Sequence, residues 1–351
     1  MNNDIDINGL KIGVVGAGSW GTVLANLLAL KGFIIDHWVF ETEVKEQIEI
    51  YRENKVFLPG FTLSDNLVPS NDLQAVVSGK DIVLIVVPSH VMREISEKIA
   101  ACLSADTLVI SASKGIENTT HLSMTGILRQ TLPDVPSRNL AVLTGPSFAR
   151  EVIQKVPTVV TAAAPELSVA EFVQSVFSTP YFRVYTSSDM IGVELGGAVK
   201  NVIAIAAGII DGLGLGLNTR AALITRGLAE IRRLGLKLGA EFNTFAGPSG
   251  IGDLILTCTG DLSRNHTVGK KIGLGLTLAQ ILSEMRMVAE GVKTAKSVYN
   301  LSRKLNVEMP ISHGVYGILY DDLNPMDVLR QLMTRDLKHE LDADCDESFG
   351  L

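Results

Sequence analysis

The stretch KIGVVGAGSWGTVLANLLALKG (11–32) decides the fold. KIGVV (11–15) is a short, β-branched apolar run that reads as a buried strand. GAGSWG (16–21) follows at once and matches G-x-G-x-x-G. Residues 22–31 then read as a helix, closed by Gly32 at a C-terminal cap position. Alone the glycine pattern is weak, but strand, glycine turn and helix in this order are the context its mechanism requires. Gly16 allows the tight turn, Gly18 lets the backbone approach a pyrophosphate, and Gly21 lets the helix pack close to the strand. Free N–H groups and the positive end of the helix dipole then face the phosphates. The fingerprint also expects an acid about 20 residues further on, at the end of the second strand. Glu41 fills that place after FIIDHWVF (33–40), either as an acceptor for a ribose hydroxyl or as a solvated loop acid.

Outward from this unit, strands and helices alternate. DIVLIVV (81–87), TLVISAS (107–113), NLAVLTG (139–145), PTVVTAA (157–163) and YFRVYTS (181–187) read as strands, with helices at 92–103, 121–132 and 166–177. Such alternation predicts βαβ units and a parallel sheet. From 189 to 309 no strand pattern is found. Helical patterns cover 190–210, 219–238, 268–285 and 290–306, separated by glycine-rich joints such as GLGLG (212–216) and GPSGIG (247–252). The expected fold class is an α/β Rossmann dinucleotide-binding domain over 1–190, followed by an all-α domain over 191–339. An acidic tail, 340–351, carries Glu340, Asp342, Asp344, Asp346 and Glu347 and no basic residue.

Composition agrees with two globular domains. The 351 residues are 46% hydrophobic and 20% charged, with a net charge of −7 from 31 basic and 38 acidic side chains. That balance speaks against a nucleic-acid binder, which would show a basic face. The scattered Cys102, Cys258 and Cys345 imply no disulfide framework, and no Cys/His spacing suggests a metal. The N-terminus has no basic n-region or apolar h-region, and the apolar runs 82–88 and 202–210 are far short of the ~20 residues that span a bilayer. A cytoplasmic location with no membrane span is expected.

Ligands in open α/β sheets bind beyond the carboxyl ends of the strands. Those ends read VPSH (87–90), SKG (113–115) and GPSF (145–148). Lys114, at one of them, can reach into the crevice or stay in a surface loop. In GGAVKNVIAIAAG (196–208), Lys200 and Asn201 interrupt a small, apolar helix. A lysine there either snorkels to the surface or lies in a cleft with a lowered pKa, fit to give and take a proton. Asp253, at a helix start, reads on its own as an N-cap. Ser263, Arg264 and Asn265 precede another helix, and an arginine fork with two polar neighbours suits a phosphate, as it suits an exposed capping turn.

The ordered set GAGSWG (16–21), VPSH (87–90), SKG (113–115), GPSFA (145–149), ELGGAVKNVIAIAAG (194–208), TRGLAE (225–230), GDLILTC (252–258), LSRN (262–265) and VAEG (288–291) resembles NAD(P)-dependent glycerol-3-phosphate dehydrogenases of the bacterial type, over residues 10–335. The resemblance implies NAD or NADP as cofactor and reversible reduction of dihydroxyacetone phosphate to sn-glycerol 3-phosphate, feeding phospholipid synthesis. It implies a homodimer and an active site between the two domains. By matching positions, Lys200 is the proton donor and acceptor, with Lys114 and Asp253 orienting the site. Lys114, Gly145, Ser147, Lys200, Asp253, Thr257, Ser263, Arg264 and Asn265 would contact substrate. Ser19, Trp20, Lys114, Ala149, Arg264, Val288 and Glu290 would contact the dinucleotide. Two departures stand out. Relatives often carry a basic residue just after the second strand, where this chain has Phe40-Glu41, and the loop before Asp253 reads Pro248-Ser249 in place of small apolar residues.

Competing readings are a dehydrogenase of the 3-hydroxyacid or 6-phosphogluconate type, which also uses a helix lysine followed by Asn, a sugar-nucleotide dehydrogenase with Cys258 as nucleophile, and a non-catalytic redox sensor. A sensor has no need of a proton donor such as Lys200.

Overall fold

The computed structural model describes residues 9–285, 288–337 and 339–340. The tail acids from Asp342 onward and Cys345 lie outside the described residues. Eight strands form one sheet in the order β3-β2-β1-β4-β5-β6-β7-β8. In chain order the first half runs β1 (Ile12–Val15), α1 (Ser19–Leu30), β2 (Ile35–Trp38), α2 (Thr42–Tyr51), β3 (Leu67–Ser70), α3 (Leu73–Val77), β4 (Ile82–Ile85), α4 (Met92–Ile99), β5 (Leu108–Ser111), α5 (Met124–Thr131), β6 (Leu140–Thr144), α6 (Ala149–Ile153), β7 (Thr158–Ala163), α7 (Leu167–Phe177) and β8 (Phe182–Ser187). β1, β4, β5 and β6 are buried along their whole length, as continuous apolar strands covered on both faces must be.

Six strands follow the doubly wound order 3-2-1-4-5-6. The parallel expectation fails at one place: β7 pairs antiparallel with β6, Thr144 opposite Thr161. The connection carries only the five-residue α6. At 1.5 Å per residue that helix returns only about 7.5 Å, less than half the length of a five-residue strand of about 17 Å. The chain therefore turns back from the end of β6. β3 is absent from the sequence-based expectation because LVPS is short and holds Pro69. It is an edge strand, where proline is tolerated.

The second half is helical: α8 (Met190–Gly212), α9 (Gly216–Lys237), α10 (Asp253–Thr259), α11 (Arg264–Gly273), α12 (Leu278–Glu284), α13 (Glu290–Leu305), α14 (Pro310–Tyr320) and α15 (Pro325–Met333). The single helix expected over 268–285 is two, because Gly275 takes φ +96° after α11 and Thr277 opens α12 with a capping box. α8 is long and apolar enough to cross a membrane, yet nearly all of it is buried inside the protein as the core of the helical half. A helix apolar all round must be covered all round. α11 covers one side at backbone contact: a Cβ on Gly208 would meet His266 O at 2.0 Å, and one on Gly269 would meet Ile205 O at 2.0 Å. Glu230 of TRGLAE is buried and accepts hydrogen bonds from Ile311 N–H (2.6 Å) and Ser312 N–H (3.0 Å), capping α14.

Gly269→Ala is expected to destabilise the protein, although alanine ordinarily favours a helix over glycine by up to about 1 kcal/mol. Forcing a methyl onto a backbone carbonyl costs about 1–3 kcal/mol, so the clash wins. A lower urea midpoint at unchanged slope is the expected result.

Candidate active site

The cofactor cradle begins at β1. Gly16 takes φ +111°, and a Cβ there would strike Val86 O at 2.4 Å. A Cβ on Gly21 would meet Gly16 O at 2.0 Å, so helix and turn touch, whereas Gly18 faces open space. Two buried side chains unmarked in the sequence hold this turn. His37, on β2, bonds Gly16 O through Nε2 at 3.0 Å, and burial lowers its pKa to about 4, so the ring is neutral. Asn54 donates to Ala17 O (2.8 Å) and accepts from Phe57 N–H (2.9 Å). The Ser19 hydroxyl donates to Phe57 O, while the buried indole N–H of Trp20 has no partner. No side chain caps α1 at Gly18. Open space over Gly18 and an uncapped helix start fit a dinucleotide pyrophosphate. Glu41 is exposed at the start of α2, three residues beyond β2, with no side-chain cap bond of its own.

Lys114 follows β5, and the GPSF loop follows β6. Lys114 Nζ donates to Gly145 O (3.2 Å) and to Asp253 Oδ2 (2.8 Å). The Ser147 hydroxyl donates to Gly145 O at 3.0 Å. From the helical half, Lys200 is only 6% exposed, so it does not snorkel. Its ammonium donates to Asp253 Oδ1 and to Thr257 Oγ1 (2.8 Å). The Thr257 hydroxyl spends its own proton on Asp253 O (2.7 Å), one turn back on α10, which leaves its oxygen to receive Lys200. Asp253 is 1% exposed. It opens α10 but caps nothing with its side chain: both oxygens go to lysines. Burial lowers the Lys200 pKa from 10.5 to about 7; the Asp253 charge opposes that fall and the Lys114 charge adds to it.

The π-helical turn Pro248–Gly252 delivers Asp253 to this point. Its Ser249 carbonyl packs against Gly196 of α8, where a Cβ would lie 2.5 Å away. Asn201, next to Lys200, accepts from Asn265 Nδ2 at 2.9 Å, and Asn265 Oδ1 accepts from Gly291 N–H at 2.9 Å. Ser263 caps α11 by accepting from His266 N–H (3.2 Å). Arg264, on the open side of the first turn, donates to Val288 O (2.9 Å). Glu290 accepts from the backbone N–H of Ser89 (3.1 Å) and from its hydroxyl. Ser89, in VPSH, is thus a contact that sequence reasoning did not single out. Ala149 starts α6 beyond the GPSF loop.

Lys114, Gly145, Ser147, Lys200, Asp253 and Thr257 therefore form one connected cluster, and Asn265 and Arg264 join it through Asn201 and α11. Gly16, Gly18, Ser19, Trp20 and Gly21 form a second cluster at the glycine turn. Cys258 is buried, which raises its pKa to about 12, so it offers no thiolate. Among the described residues no group of three or more His, Cys, Asp or Glu could hold a metal ion.

The family described as NAD-dependent glycerol-3-phosphate dehydrogenase matches by its N-terminal part over residues 11–170 and by its C-terminal part over 189–330. A glycerol-3-phosphate dehydrogenase [NAD(P)+] of Syntrophobacter fumaroxidans is 57% identical over 334 residues, covering 95% of this chain and 98% of its own. One from Geobacter sulfurreducens is 55% identical over 330 residues, covering 94% and 98%. The crystal structure of glycerol-3-phosphate dehydrogenase from Coxiella burnetii is 37% identical, with a TM-score of 0.89, covering 93% of this chain and 99% of that one. These likenesses set aside the competing dehydrogenase and sensor readings: the chain belongs to the NAD-dependent glycerol-3-phosphate dehydrogenase family, as an NAD(P)-dependent enzyme with a Rossmann domain and a helical domain.

Proposed function

We propose that this protein reversibly reduces dihydroxyacetone phosphate to sn-glycerol 3-phosphate in the cytoplasm, as a homodimer supplying phospholipid synthesis, with residues 1–190 holding the cofactor and 191–339 supplying most of the substrate site. The observation that carries the chemistry is the Asp253 carboxylate buried between the ammoniums of Lys114 and Lys200. When bound, the nicotinamide supplies the hydride. Lys200 gives its proton to the ketone oxygen as that oxygen becomes an alkoxide, and takes it back in the reverse direction. Asp253 and Thr257 aim Lys200. Lys114 keeps Asp253 paired and holds the Gly145 carbonyl. Arg264, with Ser263, Asn265 and the start of α11, clamps the phosphate. Absorbance-monitored turnover of dihydroxyacetone phosphate with NADH or NADPH tests the reaction directly.

Lys200→Ala is expected to retain fold and dinucleotide binding and to lower turnover by about 10²–10⁴-fold, the span of one general acid–base group. The wild-type pH profile supplies the sign. Reduction needs the ammonium, so its rate falls as pH rises through the Lys200 pKa of about 7, and oxidation, which needs the neutral amine, rises over the same range. Initial rates in both directions check this. Profiles of the same sign in both directions, or an active Lys200→Ala, contradict the assignment.

Arg264→Ala should lower kcat/KM for dihydroxyacetone phosphate by about ten- to a hundredfold, the worth of a charge-assisted hydrogen bond of about 1.5–3 kcal/mol. With dihydroxyacetone, which has no phosphate, the penalty should largely vanish. Equal impairment on both substrates would remove Arg264 from the phosphate site.

At the adenosine end, a 2′-phosphate needs a cation near the end of β2, whereas a free 2′-hydroxyl prefers a carboxylate. Phe40 there is 74% exposed, Glu41 is exposed, and Lys45 is engaged with Glu49 at 2.6 Å. NADH is expected to serve at least as well as NADPH. Comparing kcat/KM for the two at fixed substrate checks this, and a tenfold preference for NADPH would show that Glu41 does not face the ribose.

A further inference from the structure

Both lysines meet the one Asp253 carboxylate, yet Lys114 extends from the sheet and Lys200 from α8. Their relative position depends on how α8 is seated against the Rossmann domain. The face of α8 turned to the sheet lies close at Gly197: a Cβ there would come 2.8 Å from Thr144 Oγ1 and 3.5 Å from Lys114 Cδ. Gly197 permits close approach, and Met190 and Val193 on the same face pack against Val142 and Ala163, apolar contacts that carry no directional preference. A directional bond is needed, and one is present six residues before Lys200. Glu194 Oε1 accepts the backbone N–H of Thr125 at 2.9 Å. Its Oε2 accepts the Ser123 hydroxyl at 2.7 Å and the Thr125 hydroxyl. Ser123 is the N-cap of α5, and its hydroxyl oxygen also receives Gly126 N–H at 3.2 Å. The carboxylate of α8 thus replaces water at the first turn of a Rossmann-domain helix, where acids are favoured. The contact borders the other lysine as well: Glu194 and Ala198 line one small cavity together with Gly115 and Ile116, the residues that follow Lys114.

We propose that Glu194 is a positioning residue, which locks the axial and rotational setting of α8 on the N-terminus of α5 and so fixes Lys200 relative to Lys114 and the strand ends. The inference rests on the dehydrogenase reading above. It takes no part in proton transfer, and Glu194 touches neither lysine.

The test compares Glu194→Ala and Glu194→Gln with wild type, in the full-length protein. In cofactor-free protein, amide hydrogen exchange should speed up at the first turn of α5 in Glu194→Ala, with exchange in β1 and β4 unchanged. In turnover, kcat per bound cofactor should fall by about 10- to 100-fold, the scale of a misplacement near 1 Å, while the KM for cofactor stays within about twofold. Glu194→Gln keeps an acceptor for Thr125 N–H and should recover most of the loss. A merely stabilising role predicts otherwise: fewer competent molecules, with normal kcat per bound cofactor. Wild-type kcat in folded Glu194→Ala, or no recovery in Glu194→Gln, overturns the proposal. If Glu194→Ala does not fold, the Ser123→Ala/Thr125→Val double variant removes the two hydroxyl donors from the other side while the Thr125 N–H bond stays, and the same split, smaller in size, must appear. Wild-type protein inactive on dihydroxyacetone phosphate would instead overturn the functional reading, and the exchange measurement would still decide the lock.

Discussion

One carboxylate shared by two ammoniums is the constraint on which the site depends. Asp253 is almost without solvent, and an unpaired charge so placed would be strongly destabilising. Two lysines from different halves of the chain meet it, one oxygen each. The cluster therefore carries one net positive charge when fully protonated. That surplus suits an oxygen gaining negative charge. It also explains the ease of proton release: Lys200 is buried and beside Lys114, so its pKa falls to about 7. When Lys200 is neutral, Lys114 still pairs Asp253. The cycle can run in both directions without ever leaving the carboxylate alone.

The same physics recurs where helices end. Glu230 caps α14, Glu194 reaches the first turn of α5, and Glu290 takes the backbone N–H of Ser89. Each places a carboxylate on backbone donors that a helical turn leaves unsatisfied. Two of the three cross from the helical domain to the Rossmann domain. Ser297 of α13 adds a third crossing, donating to Ile116 O at 2.8 Å just beyond Lys114. The loop that bears Lys114 is thus tied to the helical domain just beyond that residue.

The sequence made the Rossmann half and the glycine turn legible because both are local: a strand, a fixed glycine spacing and a helix lie within 22 residues. Lys200 was legible for a related reason, since an ammonium in a run of alanine, glycine and isoleucine conflicts with its surroundings. Asp253 was not, because taken alone an acid at a helix start is indistinguishable from an N-cap. Only the placement of Lys114 and Lys200, 139 and 53 residues away, distinguishes them. His37 and Asn54 support the glycine turn from within strand and loop stretches that carry no sequence mark of that duty. The reversal at β7 escaped notice because strand propensity carries no direction. The antiparallel register of Thr144 with Thr161 shows it.

Rigidity is distributed unevenly across this arrangement. Within the helical domain, α8 and α11 touch backbone to backbone at Gly208 and Gly269. Contacts of that kind cannot shorten and lose dispersion energy if they lengthen. Asn201 and Asn265 bridge the same two helices at 2.9 Å. The backbones that bear Lys200, beside Asn201, and Arg264, beside Asn265, are therefore held relative to each other. Across the cleft, beside the Lys114–Asp253 pair and the packing of α8 on the sheet, the ties are hydrogen bonds that carboxylates accept or hydroxyls donate. Each is worth about 1–3 kcal/mol net, and each can be exchanged for water. The fold thus fixes α8 and α11 against each other by backbone contact, and seats α8 on the Rossmann domain through separable hydrogen bonds, of which Glu194 accepts three.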